Sequence, residues 1–159
     1  MTMNQEDKLT NILFAGIGGQ GIIKASDMLT EAAYRMGFDV KKSELHGMSQ
    51  RGGSVSSDVR FGKKVYSPMI PEGEADYLLA VSEDQIPLCT KFLREGAVII
   101  KPSDFPEEVA KSRMLNIAML GRLNKYLQFP EELWNELISA SFKGESAAEN
   151  MKVFQEAAK

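Results

Sequence analysis

One cysteine and one histidine are all that this 159-residue sequence offers as soft metal ligands. A Cys₄ iron–sulfur site or a structural zinc site needs a full set of thiolate or imidazole donors, so Cys89 and His46 cannot build either one within this chain. Redox chemistry carried by such centres would therefore have to sit on another polypeptide. Long apolar runs are also missing. No window approaches the roughly eighteen continuous apolar residues of a membrane span, and no membrane association is expected. The stretch before Ile12 is polar and acidic, with Asn4, Gln5, Glu6 and Asp7. That is unlike the apolar core of a secretory signal, so the expected address is cytoplasmic. Positive charge is not in excess: the net charge is −3. The short basic pairs Lys41-Lys42 and Lys63-Lys64 read as solvated strand ends, and nucleic acid is not expected as a partner.

What remains is ordinary globular material, 43% hydrophobic and 26% charged, enough for a core without disulfides or metals. We read residues 1–159 as a single domain, with no internal repeat or low-complexity linker. Cys89 follows Ile86, Pro87 and Leu88, where a buried, inert thiol is expected.

The chain alternates strands and helices. Asn11 to Ala15 reads as a buried strand, followed by the turn Gly16-Ile17-Gly18-Gly19-Gln20-Gly21 and by a helix from Ile22 to Met36. In that helix Ile22, Ala25, Met28, Leu29, Ala32, Ala33 and Met36 recur at three- and four-residue steps, and Gly37 stands where a helix-ending glycine belongs. Phe38 to Glu44 predicts a second strand, and Ser54 to Phe61 a third, turning at Gly62-Lys63 into a short partner strand, Lys64 to Ser67. Pro68 to Asp76, with Glu72, Glu74 and Asp76, reads as an irregular, solvated acidic connection. It lacks the ligand alternation of a calcium loop. Tyr77 to Val81 is then a buried strand, Ser82 a helix cap, and Pro87 tolerable only in a first turn. A strand from Ala97 to Lys101 precedes helices over Arg113–Leu127, Pro130–Phe142 and Glu145–Ala158. The expected fold class is α/β: a three-layer α/β/α sandwich around a Rossmann-like, mainly parallel sheet with one antiparallel hairpin.

Gly16, Gly18 and Gly21 satisfy G-x-G-x-x-G between a strand and a helix. Such a turn aims backbone amides of a helix N-terminus outward and lets an anion approach, as in dinucleotide sites. Glu44, near the end of the second strand, stands where a ribose-binding acid would. The same glycines also serve a tight turn, close helix–sheet packing or contact with a partner chain. On the residues alone these readings stay open, as does a regulatory module binding a small anion.

A second motif follows. Gly18-Gly19-Gln20-Gly21, then Ser43-Glu44-Leu45-His46-Gly47-Met48-Ser49-Gln50-Arg51-Gly52-Gly53-Ser54-Val55, then Val65 through Asp76 occur in that order. This series closely resembles the gamma-type domain of 2-oxoacid:ferredoxin oxidoreductases, in particular the beta subunits of indolepyruvate ferredoxin oxidoreductases. The resemblance runs from Asn11 to Ile100 and resumes more weakly from Asn116 to Leu127. It implies one part of a heteromeric enzyme that oxidatively decarboxylates a 2-oxoacid, such as an aryl pyruvate, with coenzyme A as acyl acceptor and ferredoxin as electron acceptor. In that family thiamine diphosphate, magnesium and the iron–sulfur clusters belong to a larger partner subunit. The isolated chain is expected to be inactive and to bind no cofactor alone, with a homodimer as one state open to it. The sequence departs from the family pattern between Lys101 and Asn116, where relatives carry about two dozen more residues, the size of one further strand and helix. A sheet one strand smaller is therefore expected.

The candidate site residues follow. Gly16, Gly18, Gly19, Gln20 and Gly21 form an interface or anion-accepting turn. Glu44, His46, Gly47, Ser49, Gln50, Arg51, Gly52 and Gly53 form a partner-interface or substrate-side loop. Arg51 offers a planar fork for a carboxylate or phosphate, or a salt bridge to Glu44. His46 is a candidate proton carrier but has no evident acid or nucleophile partner. No Ser-His-Asp arrangement accompanies Ser49, so no catalytic residue is assigned. Met48, Met69, Met114 and Met119 read as core filler.

Overall fold

The computed structural model describes residues 7–46 and 53–159. Five strands form one sheet in the order β2-β3-β1-β4-β5: β1 (Thr10–Ile17), β2 (Asp39–His46), β3 (Ser54–Gly62), β4 (Ala75–Ala80) and β5 (Leu93–Ile100). β1 pairs parallel with β4, and β4 with β5. β3 pairs antiparallel with both β1 and β2. Four strands thus share one direction and β3 alone runs against them, which gives the mainly parallel sheet expected from the sequence.

The antiparallel hairpin is β2 with β3. Residues 64–67 do not form the expected partner strand. Both edges of β3 are already occupied, by β1 and β2, so no ladder is free for them. Side chains hold that stretch instead. Lys41 Nζ donates to the Val65 carbonyl at 2.5 Å, and the Val65 amide donates to Asp39 Oδ2 at 2.7 Å. Arg60 Nη1 donates to the carbonyls of Ser67 and Met69 at 2.9 and 3.1 Å.

Helices α1 (Ile22–Arg35), α4 (Leu115–Leu127), α5 (Glu131–Ser141) and α6 (Glu145–Ala158) build the principal core. Six of the apolar positions predicted for the first helix are buried, whereas Met36 falls just past its end and is 40% exposed; Gly37 then closes the helix at φ 91°, with the Phe38 amide donating to Ala33 O at 3.2 Å. Ile12 and Phe14 of β1 point into this side and Leu13 and Ala15 into the other, as strand alternation requires. Each fully buried side chain of this size contributes about 1.5–3 kcal/mol.

The opposite face carries a thinner cover. Ile70 and Cys89 pack on Leu13, Ala15, Leu78 and Ala80, supplied by the connection after β3 and by a broken helical stretch. That stretch is a 3₁₀ turn at Glu83–Gln85, the four-residue α2 (Ile86–Cys89) and a second 3₁₀ turn at Thr90–Phe92. Pro87 lies in the first turn of α2, as anticipated. Ser82 does not cap through its hydroxyl, which donates to Asp84 Oδ1 at 2.6 Å.

Three further expectations are corrected. Asp76 is not a solvated turn residue: it opens β4, is buried, and accepts from the Asn11 amide and Arg94 Nε, both at 2.8 Å. Lys42 is not a solvated strand end, because Asp27 of α1 and Glu44 both hold its ammonium. Met69 is 64% exposed, unlike the fully buried Met119. Between β5 and α4, residues 102–114 form a 3₁₀ turn and the short α3 (Glu107–Ala110) without a strand, so β5 is left as a sheet edge.

Candidate functional site

The glycine turn sits at the carboxyl end of β1, where the chain order across the sheet reverses. α1 carries the chain to β2 on one side of β1, and β4 lies on the other. This is the switch point at which open α/β sheets place their sites.

The turn is stitched to itself and to the second motif. The Gln20 side chain folds back so that its Oε1 accepts from the Ile17 amide at 2.7 Å. It then lies only 2.9 Å from where a Cβ on Gly16 would stand, with Ile22 Cδ1 at 2.8 Å on the same spot. Gly19 and Gly21 adopt φ of 90° and 79°, which favour glycine. The Gly18 amide donates to the Gly53 carbonyl at 3.1 Å, joining the two motifs across the top of β1 and β3. α1 makes its first helical bond from Ala25 N to Gly21 O, so the amides of residues 22–24 are the open donors of a helix N-terminus.

Asn116, at the start of α4, was not singled out by sequence reasoning as a site residue. It is buried, and its Nδ2 donates to the Gly21 carbonyl at 3.2 Å. A Cβ on Gly21 would lie 2.4 Å from that nitrogen. The available signal was an asparagine amid the apolar run Leu115 to Leu120, a polar group that must find a partner when buried. Two of the three motif glycines are thus explained by side chains of the chain itself filling the space above them.

A shallow depression of about 320 Å³ is lined by Gly18, Gly19, Gly21, Lys24, His46 and Val55, among others. His46 is brought beside the turn, 64% exposed, with its Nε2 4.0 Å from Glu44 Oε2. Glu44 is held by Lys42, whose ammonium also contacts Asp27. Burial works against the charge of Lys42, but the hydrogen bonds and charges of Asp27 and Glu44 outweigh it and hold its proton above the usual lysine range. Glu44 lies two strands from β1, because β3 is inserted between β1 and β2. In a dinucleotide fold the second strand adjoins the first, so here the acid is displaced by about one strand spacing, ~4.8 Å. Gly47, Ser49, Gln50, Arg51 and Gly52, together with Met48, lie outside the described residues.

On the other face of the sheet a larger cleft of about 500 Å³ opens between β2, β3, the connection near Met69 and α2. Asp58 stands in it and accepts from the Ile70 amide at 2.9 Å; burial pushes its carboxyl above the ordinary range. Cys89 lines the same cleft, and burial, with the nearby Asp58 charge, raises its thiol too. The thiol is buried, as the sequence suggested. Among the described residues no group of three His, Cys, Asp or Glu side chains is gathered as metal ligands, and no helix is long and apolar enough to cross a membrane.

Comparison with known proteins adds to this geometry. The family model for pyruvate ferredoxin/flavodoxin oxidoreductase matches residues 11–107. The indolepyruvate oxidoreductase subunit IorB of Thermococcus kodakarensis is 45% identical over 89 residues, covering 56% of this chain and 44% of the relative. The chain thus aligns with less than half the length of the curated relatives it matches first. Among solved structures, the pyruvate oxidoreductase subunit PORC of Thermotoga maritima superposes with a TM-score of 0.77 at 20% identity, covering 96% of both chains. The 2-oxoglutarate:ferredoxin oxidoreductase of Magnetococcus marinus, solved with 2-oxoglutarate, coenzyme A and succinyl-CoA, superposes with a TM-score of 0.82 at 22% identity. It covers 96% of this chain and 31% of that one. At these identities the structural likeness establishes the shared fold. With the glycine turn, the joined second loop and the match over residues 11–107 all in view, the chain belongs to the pyruvate ferredoxin/flavodoxin oxidoreductase family.

Proposed function

We propose that this chain is the small subunit of a heteromeric 2-oxoacid:ferredoxin oxidoreductase of the indolepyruvate type. The observation that carries the reading is the 45% identity to an indolepyruvate oxidoreductase subunit over 89 residues. The activity of the complex is the oxidative decarboxylation of an aryl pyruvate to its acyl-coenzyme A, with electrons leaving to ferredoxin.

The chain's own residues do not fit the redox centres of such a reaction. Its one thiol, Cys89, is buried and holds its proton more tightly than usual, the opposite of a cluster-ligating thiolate. On this reading thiamine diphosphate, magnesium and the iron–sulfur clusters belong to a larger partner subunit, which also meets ferredoxin. The part of this chain is to complete that partner. The glycine turn, tied to Gly53, with His46 beside it and residues 47–52, is its proposed contact surface. The packing of Gln20 and Asn116 over the motif glycines supports this assignment over an independent dinucleotide site, since these side chains account for the glycines without a ligand.

Co-expression with the larger indolepyruvate oxidoreductase subunit of the same organism tests the reading. The expected result is a stable heteromer that reduces ferredoxin in the presence of indolepyruvate and coenzyme A, while the chain alone shows no turnover. Two results would overturn it: turnover by the isolated chain, or micromolar binding of NAD, NADP or FAD to it in a calorimetric titration.

A further inference from the structure

The cleft on the thinly covered face of the sheet is bordered by three exposed aliphatic side chains from three separate elements: Leu45 of β2 (70% exposed), Met69 of the connection after β3 (64%) and Leu88 of α2 (63%). Water-facing aliphatic groups gathered around one opening are the mark of a contact surface, whereas those scattered singly need no explanation. Side chains so far out on the rim would stay wet around a small molecule in the cleft, so only a second macromolecular surface can cover all three.

Two observations define what that surface must be. The first is charge. Asp58 stands half-buried in the cleft and its Oδ2 accepts the Ile70 amide; among the described residues the Arg60 charge acts on it, but no lysine or arginine forms a salt bridge with it. A carboxylate left in an apolar cleft is complementary to a cation or an N–H donor arriving with an apolar partner. The second is continuity. His46 and Val55 line both this cleft and the depression beside the glycine turn, so the two form one surface running around the ends of β2 and β3. The same fold makes up 31% of the Magnetococcus oxidoreductase chain, where it is joined to further polypeptide.

We propose that this cleft is the second half of the docking surface for the larger oxidoreductase subunit, which seats apolar side chains between Leu45, Met69 and Leu88 and brings a cationic or N–H group to Asp58. The proposal rests on the function proposed above and extends it from the glycine turn to the opposite sheet face.

The test uses the full chain, co-expressed with the larger subunit, in three variants: Leu88→Glu, Asp58→Asn and the control Tyr34→Glu. Tyr34 is 67% exposed on α1, on the other side of the sheet. Asp58→Asn keeps an acceptor for the Ile70 amide, and Leu88 is exposed enough for its replacement to fold. Circular dichroism of each variant alone checks both points. Affinity for the larger subunit should fall about tenfold or more for Leu88→Glu, the size of an interface hot-spot loss, and several-fold for Asp58→Asn. Tyr34→Glu should bind as the wild type does. Should the wild type bind while Leu88→Glu and Asp58→Asn bind equally well, the cleft assignment is overturned and the subunit function stands. A wild-type chain that fails to bind overturns both. A wild-type homodimer that Leu88→Glu converts to monomer gives the cleft to a second copy and overturns the proposal in another way.

Discussion

Replacing Gly21 with alanine tests how the glycine turn is built. Gly21 has φ 79°, and a Cβ there would lie 2.4 Å from Asn116 Nδ2 and 3.1 Å from its Cγ. An alanine in the left-handed region costs about 1–2 kcal/mol. The clash must also push Asn116 aside and break its 3.2 Å bond to the Gly21 carbonyl, leaving a buried amide unsatisfied at a cost of about 1–3 kcal/mol. The sum is about 2–5 kcal/mol, measured as a fall in the urea midpoint at unchanged slope. Gly19→Ala is the internal comparison. Gly19 has φ 90° but nothing within 4 Å of its Cβ position, so only the conformational part, about 1–2 kcal/mol, should appear. In an Asn116→Ala background the cost of Gly21→Ala should fall to the Gly19→Ala value, because the clashing group is gone. Equal losses for Gly19→Ala and Gly21→Ala, or no coupling to Asn116, would refute the view that this glycine exists to admit α4.

Two other outcomes follow from the structure. Asp58 has its carboxyl raised by burial, so the folded state holds that proton more tightly than the unfolded state. Stability from this group is present below the ordinary carboxylate range and is lost as pH rises through the raised folded value. Asp58→Asn should therefore gain on the wild type as pH rises from about 3 to 7 in urea titrations, and a pH-independent difference would contradict the assignment. Gly121 lies where α4 meets α6, and a Cβ there would stand 2.4 Å from the Phe154 carbonyl oxygen. Gly121→Ala should cost about 1–3 kcal/mol by overpacking. The single tryptophan, Trp134, packs on Phe154 at 5.0 Å between ring centroids, so its fluorescence should report α6 loosening. Unchanged stability and emission would show that the helices part at little cost.

Sequence by itself determined the strand-turn-helix opening, the apolar face of α1, the helices α4 to α6 and the α/β class. Each of these rests on local periodicity or on a residue whose backbone preference acts within a few positions, as Gly37 does at the end of α1. The scarcity of cysteine and histidine also limited what the chain can hold, whatever its fold. Tertiary structure decided what depends on which edges and faces are free. Residues 64–67 carry strand propensity, yet both edges of β3 were taken, one by the preceding strand β2 and the other by β1. Asp76 looked like one acid of a solvated turn until Asn11 and Arg94 were brought to it. The candidate site divides the same way. Its glycines were legible in the motif, but the reason for Gly21 is an asparagine 95 residues away, and the exposed ring of Leu45, Met69 and Leu88 exists only once three elements converge. Local preference is written in neighbouring residues, whereas pairing and burial are settled by long-range competition for a limited number of edges and faces.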